Sequence, residues 1–233
     1  MRTTFARQTQ PSRGIRSWWG KAWQRAVEEA AYSEAELRPG RAAARRGDVG
    51  GISVDSGSLL AAVREGDDAW TVEVAVPTLD DETRAALVEV VAAESGRVAE
   101  LLAGNLPHDL VEHAEEVGVE LLPYGGELVA TCTCPHYLAP CAHALALLIQ
   151  TGWLLDADPL VLFALRGLDR EALLAALHAR TVAAVSGTAT TATATPTTAD
   201  LADDVELVVE AALRAQRLVP LFEAGAELPE GLL

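Results

Sequence analysis

All three cysteines of this 233-residue chain lie within ten residues, and a histidine closes the set: Cys132-Thr133-Cys134, a six-residue gap, then Cys141-Ala142-His143. Three soft thiolates and one imidazole make the donor set of a closed tetrahedral zinc site. The intervening loop, Pro135 to Pro140, is bracketed by prolines whose fixed φ reduces the freedom lost on closure. No cluster of hard oxygen ligands accompanies it, which argues against calcium. Three unligated core cysteines, one disulfide with an odd thiol, or a thiol redox sensor are the other readings of such a cluster. Zinc fits the ligand types and spacing best. Cys132 and Cys134, two residues apart on an extended segment, point to one side, and Cys141 and His143 open a helix. His136, inside the loop, is a rival ligand, but four groups already fill a tetrahedral shell.

The stretch from Glu127 through Cys132-Thr-Cys134-Pro135 to Pro140-Cys141-Ala-His143 and the apolar run ending at Ile149 resembles the SWIM zinc finger. Ser17-Trp18-Trp19-Gly20-Lys21-Ala22-Trp23, Val49 to Val54, and Asp156 to Pro159 are similar to tracts of bacterial SWIM-finger proteins. The resemblance implies DNA or protein binding and an association with SWI2/SNF2-type helicases. Two positions depart from the family's usual pattern. His136-Tyr137 stands where many members carry an acidic-aromatic pair, and Ala142 where many carry a base. The loss of that cation weakens phosphate contact by the finger itself.

Charge divides the chain unevenly. Residues 1–47 hold ten Arg/Lys against four Asp/Glu, whereas the whole chain is −16. Most of the surface therefore repels nucleic acid. Phosphate contact falls to the N-terminal part, through Arg13, Arg16, Lys21, Arg41, Arg45 and Arg46, unless these pair with the acidic body. Nothing matches a phosphate-cradling loop or a nucleophile elbow, and a catalytic zinc would need an open ligand position. A non-enzymatic protein without a small-molecule substrate is expected. No apolar run suits a membrane span, the N-terminus lacks the apolar stretch of a secretory signal, and scarce metal-spaced cysteines fit a reducing cytoplasm.

The predicted fold is α+β: a small antiparallel sheet with packed helices, a ββα-like Cys3His finger and a helical C-terminal part. Residues 1–16 read as a basic disordered arm and 17–118 as an α+β region. Residues 119–155 form the finger, 156–181 a helical extension, 182–199 a Thr/Ala-rich linker and 200–233 an amphipathic helix. Ser17 caps a helix from Trp18 to about Tyr32, whose tryptophans suit packing better than base stacking. A loop is expected through Arg38-Pro39-Gly40. Strands follow at Val49–Val54, Ser58–Arg64 and Trp70–Val76, the last with strict alternation. Helices are expected from Pro77 to Gly96, over Arg97–Ala103 and over Pro107–Val117, with His108 and His113 as surface residues. In the finger, Val119–Leu122 pairs with Glu127–Thr131 ahead of a helix over Ala142–Trp153. Helices at Asp158–Leu165, Asp169–His178 and Asp203–Leu218 complete the reading.

Overall fold

Valines 72 and 74 and their neighbours alternate inward and outward, and that alternation builds the floor of the molecule. In the computed structural model, which describes residues 2–190, five strands form one antiparallel sheet in sequence order: β1 (Thr3–Phe5), β2 (Ile52–Asp55), β3 (Ser58–Glu65), β4 (Asp68–Ala75) and β5 (Val129–Cys132). Val54, Leu59, Ala61, Val63, Val72 and Val74 are buried on its inner face. The hairpin β3–β4 closes Glu65 against Asp68. Residues 1–180 make one compact unit and 181–233 a second, of which only the end of the last helix is described.

The eight described helices are α1 (Trp18–Ala30), α2 (Glu34–Arg46), α3 (Asp81–Ala92), α4 (Ser95–Leu102), α5 (His108–Glu116), α6 (Ala142–Ala157), α7 (Leu160–Leu165) and α8 (Arg170–Thr190). Two of them, α6 and α7, pack against the strands. The hub is α6. It is buried on every side from His143 to Leu155 apart from Ile149, as a helix apolar all round must be. It packs on α1, α2, α7 and strands β3, β4 and β5.

The tryptophans of α1 serve packing, as expected. Trp23 and Trp19 are buried, and their indole N–H groups donate to the carbonyls of Leu148 at 2.9 Å and Leu155 at 2.7 Å on α6. Trp18 donates to Leu106 at 2.9 Å. Each large apolar ring thus enters the core with its one polar atom satisfied. Buried Arg97 ties α3, α4 and α5 together through the Val90 carbonyl, Asp109 and the His113 ring.

Four expectations need correction. Residues 1–16 are not a disordered arm throughout, because Thr3–Phe5 pairs antiparallel with Ile52–Val54 and completes the sheet edge. Arg38-Pro39-Gly40 is not a loop but the middle of α2. Ser33 caps that helix, Gly47 ends it in a left-handed conformation, and acids at its start and arginines at its end complement the macrodipole. Pro39 forfeits a single backbone bond. Gly40 lets α2 approach α6 closely, since a Cβ there would lie 2.7 Å from the Leu145 Cβ. Val119–Leu122 is not a strand; the finger's strand β5 pairs with β4, joining Val72 to Cys132 and Ala75 to Val129. Finally, α8 continues to Thr190 through the first half of the expected linker. An alanine-rich segment extends an existing helix more easily than it nucleates one. Residues 191–199 of that linker and the expected helix Asp203–Leu218 lie outside the described residues.

Candidate metal centre

Each of the four candidate ligands is held by a different local device. Cys132 ends β5 opposite Val72. One residue on, Thr133 N–H donates to the Thr71 carbonyl and its hydroxyl accepts from Thr71 N–H, both at 3.0 Å. The extended geometry therefore continues to Cys134, which projects to the same side as Cys132. Cys141 is the N-cap of α6, and His143 sits in that helix's first turn. The segment before β5 is pinned at Gly125, where a Cβ would meet the Ala26 carbonyl oxygen of α1 at 2.6 Å.

These devices bring one ligand atom from each residue to within 4.8 Å of every other. Cys134 Sγ and Cys141 Sγ are 3.6 Å apart, and His143 Nδ1 lies 4.0 Å from Cys132 Sγ and 3.9 Å from Cys141 Sγ. A tetrahedral zinc with Zn–S of about 2.3 Å and Zn–N of about 2.0 Å has edges of about 3.8 Å between sulfurs and about 3.5 Å between sulfur and nitrogen. The Cys134–Cys141 separation is close to the sulfur edge, and the His143 Nδ1 separations lie within about 0.5 Å of the mixed edge. All three cysteines are free thiols. The donor set and its softness fit zinc, which His143 would meet through Nδ1, the nitrogen nearest the sulfurs.

Burial pushes the Cys132 thiol up to about 12, with the Cys134 backbone N–H pulling the other way. Burial also raises Cys141, opposed by the amides of Ala144 and His143 at the start of α6. A pocket that disfavours the Cys132 and Cys141 thiolates alone becomes favourable once a dication supplies the compensating charge.

The expected ligands Cys132, Cys134, Cys141 and His143 thus come together. His136 does not join them. Its ring stacks on Tyr137 with centroids 5.3 Å apart, and its Nδ1 accepts from Leu138 N–H at 3.2 Å. His108 and His113 are also outside the cluster. Among the basic residues read as phosphate contacts, Arg41 pairs with Glu34 at 2.6 Å and Glu28 at 2.8 Å, and Arg46 pairs with Asp48 at 2.8 Å. Arg13, Arg16, Lys21 and Arg45 are exposed.

Two residues of the centre escaped the sequence reading. The Glu65 carboxylate, at the end of β3, lies 3.3 Å from His143 Nε2 and accepts from Trp70 Nε1 at 3.2 Å. Neither is near the cysteines in sequence, and only the fold joins them.

Residues 117–152 match the SWIM zinc finger. The chain is also similar to the uncharacterized protein Rv2102 of Mycobacterium tuberculosis (strain ATCC 25618 / H37Rv), with 31% identity over 166 residues, 70% of this chain and 59% of that protein. It therefore spans less than two thirds of that relative's length. No solved structure matches the chain.

Proposed function

We propose that this chain, a zinc-binding module with a SWIM finger at residues 117–152, is a non-catalytic adaptor that docks a protein partner. The partner class implied by the SWIM resemblance is a SWI2/SNF2-type helicase. The observation that carries the reading is the exposed surface of the finger. Tyr137 is 89% exposed on the finger loop and lines, with Thr131, His136 and Leu138, a cleft of about 250 Å³ that reaches the ligands Cys132 and Cys141, and Val129 is 60% exposed on the edge strand β5. Exposed aromatic and apolar groups around a cleft are what a protein partner covers. Four protein ligands fill a tetrahedral shell, which supports a structural metal rather than one that activates water. The raised thiols of Cys132 and Cys141 count against the alternative of a redox sensor, which needs stable thiolates. Three thiols kept for a metal suit a reducing compartment such as the cytoplasm. Among the described residues no helix is long and apolar enough to cross a membrane.

The test is binding of the full chain to a purified SWI2/SNF2-type helicase from the same genome, with Tyr137→Ala and Val129→Asp beside the wild type. Saturable binding weakened at least tenfold by both substitutions supports docking at the finger. Equal binding by all three proteins, or none, removes it.

A second reading is DNA contact through the exposed cations Arg13, Arg16, Lys21 and Arg45. Pairing of Arg41 and Arg46 with carboxylates leaves them less available, so this reading rests on the other four. A low-salt DNA complex that disappears when those four become serine supports it, and no complex at low salt eliminates it.

A further inference from the structure

The metal centre has an outer partner supplied from far upstream. We infer that Glu65 is a positioning residue for the bound metal: it holds the His143 ring in the tautomer and orientation that present Nδ1 to the cysteines. The inference rests on the reading of Cys132, Cys134, Cys141 and His143 as the ligand set.

The chemistry runs through the two nitrogens of one ring. His143 Nδ1 faces the sulfurs, at 4.0 Å from Cys132 and 3.9 Å from Cys141. A neutral imidazole that gives a lone pair at Nδ1 carries its proton at Nε2. That proton needs an acceptor, and Glu65 Oε2 lies 3.3 Å away. The same oxygen accepts from Trp70 Nε1 at 3.2 Å, so the carboxylate is itself held in place. The Trp70 ring leans over His143 with centroids 6.2 Å apart. Glu65 and Trp70 are both in the β3–β4 hairpin, near the closing pair Glu65–Asp68. A carboxylate on the far nitrogen of a ligating histidine raises ligand basicity and fixes the ring. Here it also joins the tip of an upstream hairpin to the first turn of α6.

His143 is 90% shielded, whereas the Glu65 side chain is 68% exposed. Solvent competes for that carboxylate, so its loss belongs at the lower end of the range seen for outer partners of metal ligands, about tenfold in metal affinity. Glu65→Gln retains an acceptor oxygen without the charge. Trp70→Phe keeps an aromatic ring but loses the N–H that holds the carboxylate.

The experiment compares the full chain with Glu65→Ala, Glu65→Gln and Trp70→Phe, using zinc alone as the probe. Two quantities are read: zinc affinity by chelator competition, and the histidine ring nitrogens by NMR of 15N-labelled protein. The expected result is Nδ1 coordination with a slowly exchanging Nε2 proton in the wild type. Glu65→Ala weakens zinc binding about tenfold and speeds exchange of that proton. Glu65→Gln restores most of both, and Trp70→Phe shifts both in the direction of Glu65→Ala. Coordination through Nε2, or identical affinity and exchange in Glu65→Ala and wild type, overturns the inference. Wild-type protein that binds zinc no better than Cys134→Ser overturns the ligand set as well, so the two failures are told apart.

Discussion

The Asp156 carboxylate, near the end of α6, accepts from the backbone N–H of Ser17 at 2.7 Å and from its hydroxyl at 2.6 Å. The same oxygen accepts from Arg16 N–H at 2.9 Å. Ser17 in turn accepts from Gly20 N–H at 3.1 Å and so caps α1. The cap that starts the first helix is therefore oriented by the helix that begins in the finger.

Asp156→Ala is expected to destabilise the folded chain by about 2–3 kcal/mol, because it strips a charged acceptor from three donors. Ser17→Ala should lose about 1 kcal/mol, the usual worth of an N-cap. Urea unfolding of the zinc-loaded proteins checks both. A double mutant whose loss is well below the sum would confirm that the two side chains act together.

Gly40→Ala should destabilise by about 1–3 kcal/mol through overpacking, since the new Cβ would sit 2.7 Å from that of Leu145 and 3.1 Å from the Ala142 carbonyl oxygen. Gly126→Ala is the control, with nothing within 4 Å of the added carbon. The difference in unfolding midpoint between the two variants reads the α2–α6 contact directly.

Chelation of the metal is expected to melt the finger before the rest. Structural zinc in isolated fingers is worth roughly 10–16 kcal/mol of folding free energy at neutral pH. In hydrogen exchange, amides of β5 and the first turn of α6 should lose protection, while those of β3 and the central part of α1 retain it. Unchanged protection around Cys132 and Cys141 after chelation would show that packing alone holds the finger.

A metal-free finger that packing alone keeps folded should carry a pH dependence that the loaded form lacks. Cys132 is raised from an ordinary 9.0 to about 12 in the folded chain. Between those values the unfolded chain has lost the proton and the folded chain keeps it, so stability falls as pH rises through this window. Below about 9 the thiol is protonated in both states and contributes no slope. Zinc-bound Cys132 is already a thiolate, and the loaded protein has no such decline from this residue. Urea midpoints at pH 8 and pH 10.5, with and without chelator, separate the two behaviours.

How much of this was legible depends on whether the signal was local. The ligand set was legible because four chemically rare residues lie close together, and β3 and β4 because alternation marks a half-buried strand. The α1 tryptophans announced a packed face by their spacing. Pro39-Gly40 misled, since both residues ordinarily break helices. Here the cap at Ser33 and the contact with α6 outweigh the local preference, and the glycine is required for that contact. Strand β1 is too short and polar to reveal itself; it exists by pairing with β2. The partner of β5 could not be read from nearby residues because it is β4, a non-local choice. Glu65 was hidden for the same reason: a single acid in a hairpin turn has no pattern until the fold sets it beside His143.

The helix that carries Cys141 and His143 is apolar on every side. Such a helix cannot be lent to another protein. Grafted alone onto a foreign scaffold, residues 117–152 would keep their four ligands but lose the walls that bury Leu145, Leu147 and Leu148. Nor would they bring the hairpin acid that faces His143. Unlike fingers that can be strung together as interchangeable beads, this one is a keystone. Recombination could transmit it intact only by moving the surrounding arch as well.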